Sequence, residues 1–285
     1  MPQYIIDAHT HIFPRKIAAK AASSIGEFYS LDMQFDGMTH ELLEEGDRCG
    51  VALFLVCSVA TKAEQVSSIN DFVASKVNLH PDRLIGLGAL HPEMKDPYAE
   101  IERIIALGLR GIKLHSDFQC FDIDDERMMP VYRRLAERGL PVLFHTGDAR
   151  YDYSRPEKLA RVARAVPELT CIGAHFGGYQ RWEEAAQALC LPNVYVDCSS
   201  SLFALGREEA RALIDRFGPD KVFFGTDFPM WDCAAELERL YALRLPQETL
   251  DKIFWQNFCR LFSVPVSQLE DYYRAHPQPL SLIHI

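Results

Sequence analysis

The chain has 285 residues, 48% apolar and 25% charged, a balance that supports a folded core. Its formal charge of -10 excludes partners that need clustered cations, such as nucleic acid or an anionic membrane, and the basic residues are scattered and answered by nearby acids, as in EIERIIALGLRG. No basic start with an apolar h-region opens the chain and no apolar run reaches the length of a membrane span, so the expected location is the cytoplasm. Cys57, Cys171, Cys190 and Cys198 sit inside apolar segments and no pair shows C-x-x-C spacing, which predicts buried, reduced thiols.

In chain order, short β-rich runs alternate with amphipathic stretches. The runs are YIIDAH, VALFLVCSV, RLIGLGAL, GIKLH, PVLFH, LTCIGAH, NVYVDCSS and KVFFGTD. Between them, PYAEIERIIALG, MMPVYRRLAERG and PEKLARVARAV repeat apolar residues at helical spacing, and glycines such as Gly108 and Gly139 mark helix ends. Eight strand-helix pairs in about 260 residues predict an α/β fold, a (β/α)8 TIM barrel, since such barrels run to about 250 residues. A doubly wound open sheet would have fewer strands and often a glycine-rich phosphate loop, which the sequence lacks.

The barrel domain is expected to span residues 1–275 as a single unit with extra C-terminal helices, and 276–285 to form a tail. In those helices the strip FWQNFCRLF is expected to cover the barrel rather than form a homodimer face. The last six residues, LSLIHI, resemble the translation of a sequencing adapter. They are read as an assembly artefact, and His284 is not counted as a ligand.

Polar residues gather at the strand ends: His9 and His11 on the first, Lys113 and His115 on the fourth, His145, His175 and Asp227 on the fifth, sixth and eighth. Side chains alternate along a strand, so Asp7, His9 and His11 share a parity, with Asp7 deeper on the same inward face as a structural group or one that orients a ligand. In a barrel these ends meet at the C-terminal mouth, where barrel enzymes keep their chemistry. Several imidazoles and a carboxylate buried together without a cation would cost several kcal/mol, and a divalent metal such as zinc removes that cost.

DAHTHIFP, GIKLH, LFHTG, AHFGG and GTDFP, in this order from residue 5 to about residue 260, resemble the amidohydrolase superfamily. More narrowly they are similar to the branch that includes aminocarboxymuconate semialdehyde decarboxylase and γ-resorcylate decarboxylase. The resemblance implies one divalent metal, zinc or manganese, held by His9, His11, His145 and Asp227, with His175 catalytic beside it. In binuclear members a strand-4 lysine is carbamylated and bridges two metals. The resemblance to the single-metal branch disfavours a second ion at Lys113, which is read instead as a salt bridge or a contact to an anionic substrate.

The primary expectation is a metal-dependent hydrolase that cleaves an amide, ester or lactone of a small molecule. There Asp227 accepts a proton from metal-activated water and His175 polarises the substrate carbonyl. The alternative is a metal-dependent carboxy-lyase acting on a small aromatic or unsaturated acid, and the third reading is a barrel that binds without turnover. Substrate contacts are expected from Lys113, His115, His91, Arg150 and Trp231, with Arg150 as a bidentate carboxylate clamp.

Overall fold

The computed structural model describes residues 3–277. The LSLIHI segment and His284 lie outside the described residues. Nine parallel strands run in sequence order: β1 (Ile6–His11), β2 (Leu53–Cys57), β3 (Leu84–Gly86), β4 (Gly88–Ala89), β5 (Ile112–Leu114), β6 (Val142–Phe144), β7 (Cys171–Gly173), β8 (Val194–Asp197) and β9 (Val222–Phe223). β3 and β4 are one barrel strand interrupted at Leu87. Its backbone N–H donates to Val56 on one side, while that of Gly88 donates to Gly111 on the other. The ring closes where Ala8 donates to Phe224 and Asp227 donates to His9, with a parallel bridge between Thr10 and Phe228. The chain is a (β/α)8 barrel.

Local chemistry explains the elements. The helix Pro97–Ala106 starts where the Asp96 carboxylate accepts from Ala99 N–H at 2.9 Å with proline in the first turn. Gly108 and Gly139, at φ +77° and +65°, turn the chain out of two helices into the next strands. Ile101, Ile104, Leu135 and Leu159 pack on outward strand residues such as Ile112 and Val142 in the layer between helices and barrel. A second cluster fills the barrel itself, with Ile6, Leu53, Leu55, Leu143 and Ile172 facing one another. Phe258, Phe262 and Leu269 of the C-terminal helices join that inner cluster, so the FWQNFCRLF strip covers the barrel as expected.

Two sequence readings need correction. Between Asp7 and Thr10, β1 carries one residue more than β2 between Phe54 and Val56, a bulge that switches the faces. Ile6 pairs with Leu53 of the inner cluster and Asp7 with Phe54 of the outer one, so Asp7 does not share the inward face of His11. Its carboxylate instead accepts from the Thr226 hydroxyl at 2.6 Å and the Thr226 N–H at 3.0 Å, tying the first strand to the turn that carries Asp227. Cys190 is exposed, because it follows the helix Trp182–Ala188 on its outer side, whereas Cys57, Cys171 and Cys198 are buried free thiols. No helix among the described residues is long and apolar enough to cross a membrane.

Glu236 is buried in the helix Cys233–Ala242. One carboxylate oxygen bonds Arg239 and the other has no partner. Burial, only partly offset by Arg239, pushes its carboxyl up to about 7. The native state therefore holds this proton where the unfolded chain has lost it, and stability from this group falls as pH rises from about 4.5 to 7. Glu236→Gln is expected to raise stability at pH 8 by roughly 2 kcal/mol, with the gain vanishing near pH 4.5. Thermal melts of both proteins across that range check it.

Candidate metal centre

Three of the four expected ligands point at one place. Nε2 of His9 and Nε2 of His11 are 3.2 Å apart, and Oδ1 of Asp227 lies 3.6 and 3.4 Å from them. Donors about 2.1 Å from one tetrahedral zinc ion stand about 3.4 Å apart, so the spacing fits a shared cation. Each residue also has its other polar atom occupied. Ser200 donates its hydroxyl to Oδ2 of Asp227 at 2.6 Å, leaving Oδ1 free to face the imidazoles. Oδ2 of Asp197 lies 3.0 Å from Nδ1 of His9. Burial pushes the Asp197 carboxyl up, but His9 and the Ser199 hydroxyl outweigh it and hold it near 2. The ionised group only accepts, so Nδ1 carries the proton and Nε2 keeps its lone pair for a cation. Burial and the Lys113 ammonium push His9 down to about 4, consistent with that neutral form.

His145 stands apart from this trio. Its Nδ1 is 3.1 Å from Nε2 of His175, its Nε2 is 3.6 Å from Asp117, and its ring stacks on His115 at 3.9 Å. Its potential ligand atoms group with those of His115 and Asp117 rather than with His9 and His11. His175 lies between the two groups, its ring stacked on His9 at 5.2 Å and its Nδ1 3.1 Å from the Ser199 carbonyl. Both His175 and Asp227 adopt φ +61°, a left-handed backbone that costs a non-glycine residue about 1–3 kcal/mol and gathers at functional sites.

The remaining expected contacts divide. Lys113 and His115 line a cavity of about 400 Å³ together with the histidines and Asp227. Lys113 is 1% exposed, its Nζ 3.1 Å from Nε2 of His9, and burial pushes its ammonium down. Arg150 is not in the lining: its guanidinium binds Asp148 through Nε at 3.0 Å and Nη2 at 2.7 Å. The carboxylate that the sequence reading reserved for a substrate is supplied two residues away. His91 is buried outside the cavity, where its Nδ1 accepts from Glu93 N–H. Trp231 also lies behind the wall, donating its indole N–H to Ser200 at 2.8 Å and so bracing the hydroxyl that holds Asp227.

Sequence reasoning missed Asp197, Ser199, Asp117 and Tyr29. The first two close the strand run NVYVDCSS at alternate positions, the same strand-end signal that flagged His9 and His11. Asp117 accepts from Ser154 at 2.6 Å while its other oxygen is unpartnered, and burial, with Ser154 opposing, pushes it up to about 7. Tyr29 ends the helix Ala18–Tyr29 with its hydroxyl 3.0 Å from Nε2 of His115, a placement that no local pattern announces.

Gly225 leaves no room for a side chain. A Cβ there would stand 2.9 Å from the His9 Cβ and 3.3 Å from its backbone nitrogen. Gly225→Ala is expected to displace His9 and lower metal affinity by about 10- to 100-fold, as lost support of a ligand does. Titration with manganese or zinc against a chelator reads this directly.

The amidohydrolase family's sequence profile matches residues 6–264. The chain belongs to the amidohydrolase family. A curated relative, 2-amino-3-carboxymuconate-6-semialdehyde decarboxylase of Dictyostelium discoideum, is 26% identical over 244 residues, 72% of this chain. This amidohydrolase spans 66% of that relative's length. Among solved structures, an uncharacterised TIM-barrel protein from Bordetella bronchiseptica superposes with TM-score 0.76 at 22% identity, over 94% of this chain and 99% of that one. 5-Carboxyvanillate decarboxylase LigW from Sphingomonas paucimobilis gives 0.71 at 18%, over 92% and 99%. A dihydroxybenzoic acid decarboxylase from Polaromonas, solved with manganese and 2-nitroresorcinol, gives 0.72 at 16%, over 94% and 99%. At these identities the likeness establishes the barrel architecture.

Proposed function

We propose that this amidohydrolase is a divalent-metal-dependent carboxy-lyase that removes CO2 from a small aromatic or unsaturated carboxylic acid. The observation that carries it is a buried lysine, without a carboxylate of its own among the described residues, lining an aromatic cavity beside the His9, His11 and Asp227 donors. The named relative supports the same chemistry, so decarboxylation takes precedence over the hydrolysis expected from the motifs. A divalent cation held by His9, His11 and Asp227 would supply the positive charge that draws a substrate carboxylate to this corner of the cavity.

Lys113 places its ammonium, a point charge, against the substrate carboxylate and anchors that end of the substrate. Phe13, Phe28 and Phe118 wall the cavity and exclude water from the breaking carbon–carbon bond. As CO2 departs, the electron pair stays on the ring or chain carbon. His175, doubly protonated against the cost of burial with the help of the Asp227 and Asp197 carboxylates, gives its Nε2 proton to that carbon and is left neutral with the proton on Nδ1. The Ser199 carbonyl fixes the orientation of His175 through Nδ1.

Elemental analysis of the protein and of its His9→Ala and Lys113→Ala variants, beside CO2 release from a panel of acids, tests the reading. One manganese or zinc per chain, lost in His9→Ala and kept in Lys113→Ala, with CO2 evolved, is the expected result. Ester or lactone cleavage without CO2 restores hydrolysis. A second metal that disappears in Lys113→Ala means a carbamylated bridge.

A further inference from the structure

We propose that the cavity selects a substrate with a single carboxylate on an otherwise uncharged, flat apolar frame, and rejects dicarboxylic acids. This rests on the carboxy-lyase reading for what happens to the acid and on the cavity alone for which acid enters.

Among the described residues, the cavity lining holds one lysine and no arginine. Lys113 pairs with no carboxylate there, and its bond runs to an imidazole nitrogen. This ammonium stands 3.1 Å from a donor of the His9, His11 and Asp227 cluster. It and a cation held there would meet a substrate carboxylate at one corner and leave no positive charge elsewhere in the lining for a second one. Away from this corner the wall is mostly apolar, with Phe13, Phe28, Met33, Phe118 and Met230. Its hydroxyls are Ser24, Tyr29, which lies against His115, and Thr61, which donates to Gln65; none of these neutralises a second carboxylate charge.

The nearest candidate for a second cation is withdrawn from the space. Arg150 holds Asp148 bidentately and donates to the Phe28 carbonyl, and its guanidinium lies 4.5 Å from the Phe28 ring centroid and 5.5 Å from that of Tyr29. Phe28 and Tyr29 line the cavity and Arg150 does not, so the cation braces the aromatic wall instead of reaching through it. Asp148 is buried and would lose its partner if Arg150 turned inward. A cavity of about 400 Å³ holds a substituted ring and little more.

Calorimetric binding of benzoate, benzamide and benzene-1,3-dicarboxylate to the manganese-loaded and metal-free protein tests this without turnover. Benzoate is expected to bind, with the dicarboxylate at least about 100-fold weaker because its second charge is buried unpaired. Benzamide is expected to be weaker as well, and Lys113→Met to lose about 10- to 100-fold for benzoate. Met33→Arg puts a cation in the apolar wall and is expected to gain affinity for the dicarboxylate, an independent readout should Lys113→Met fold poorly. Equal binding of the dicarboxylate or benzamide, no benzoate binding, or a Lys113→Met protein with full benzoate affinity overturns the inference. Charge-selective binding with no CO2 from any acid would sink the carboxy-lyase reading alone. CO2 release from dicarboxylates as fast as from monocarboxylates would sink this inference alone.

Discussion

Asp197→Asn is expected to inactivate the protein through a residue that touches neither metal nor substrate. Oδ1 of Asp197 accepts from the backbone N–H groups of His175 and Ser199, both at 3.1 Å, while Oδ2 faces Nδ1 of His9 at 3.0 Å. In asparagine the amide oxygen must take the Oδ1 place to satisfy those two donors. The NH2 then faces His9 and donates to Nδ1, so the imidazole proton moves to Nε2, where the lone pair for a cation should be. An equivalent change that fixes a catalytic histidine in the wrong tautomer costs serine proteases about 10⁴ in turnover, and loss of such support costs metal sites about 10- to 100-fold in affinity. Metal titration and kcat, with circular dichroism to confirm the fold, measure both. An Asp197→Asn protein that keeps wild-type metal affinity would refute the assigned tautomer.

His175→Asn is the second large effect. Asparagine tolerates the left-handed backbone at φ +61°, so the substitution removes the imidazole without adding strain. Loss of a proton donor at the reacting carbon is expected to lower kcat by about 10²- to 10⁴-fold. Metal content should be retained, because the donors of His9, His11 and Asp227 are untouched. Loss of metal together with activity would instead make His175 a ligand and revive the two-metal arrangement. Turnover near wild type would move the proton transfer to Asp227 or Asp117.

The two results would separate what could be foreseen from what could not. His175 was legible because a single rule, polar residues at the ends of strand-like runs, applies to each strand by itself. The same rule would have reached Asp197 and Ser199 in NVYVDCSS. Arg150 illustrates the opposite case. Its loop suggested a clamp, but Asp148 two residues earlier takes both of its hydrogen-bonding edges. Nothing in the local sequence tells whether such a pair closes on itself or opens toward a ligand.

The sequence by itself determined the eightfold strand-helix rhythm, the glycine helix ends and the set of strand ends that carry imidazole, ammonium and carboxylate. These follow from periodicity and residue type, which are local, and parallel strands in a ring bring all such ends to one mouth whatever their order. Only the tertiary structure decided which of those groups meet. The bulge in β1 turned Asp7 away from His11, although both have the parity that puts them together in a regular strand. His145 settled beside His115 and Asp117, and Trp231 behind Ser200. Asp197 found His9 across 188 residues of chain. Hydrogen-bond partners of buried polar groups are chosen by which backbones close packing brings within about 3 Å, and that choice is not local.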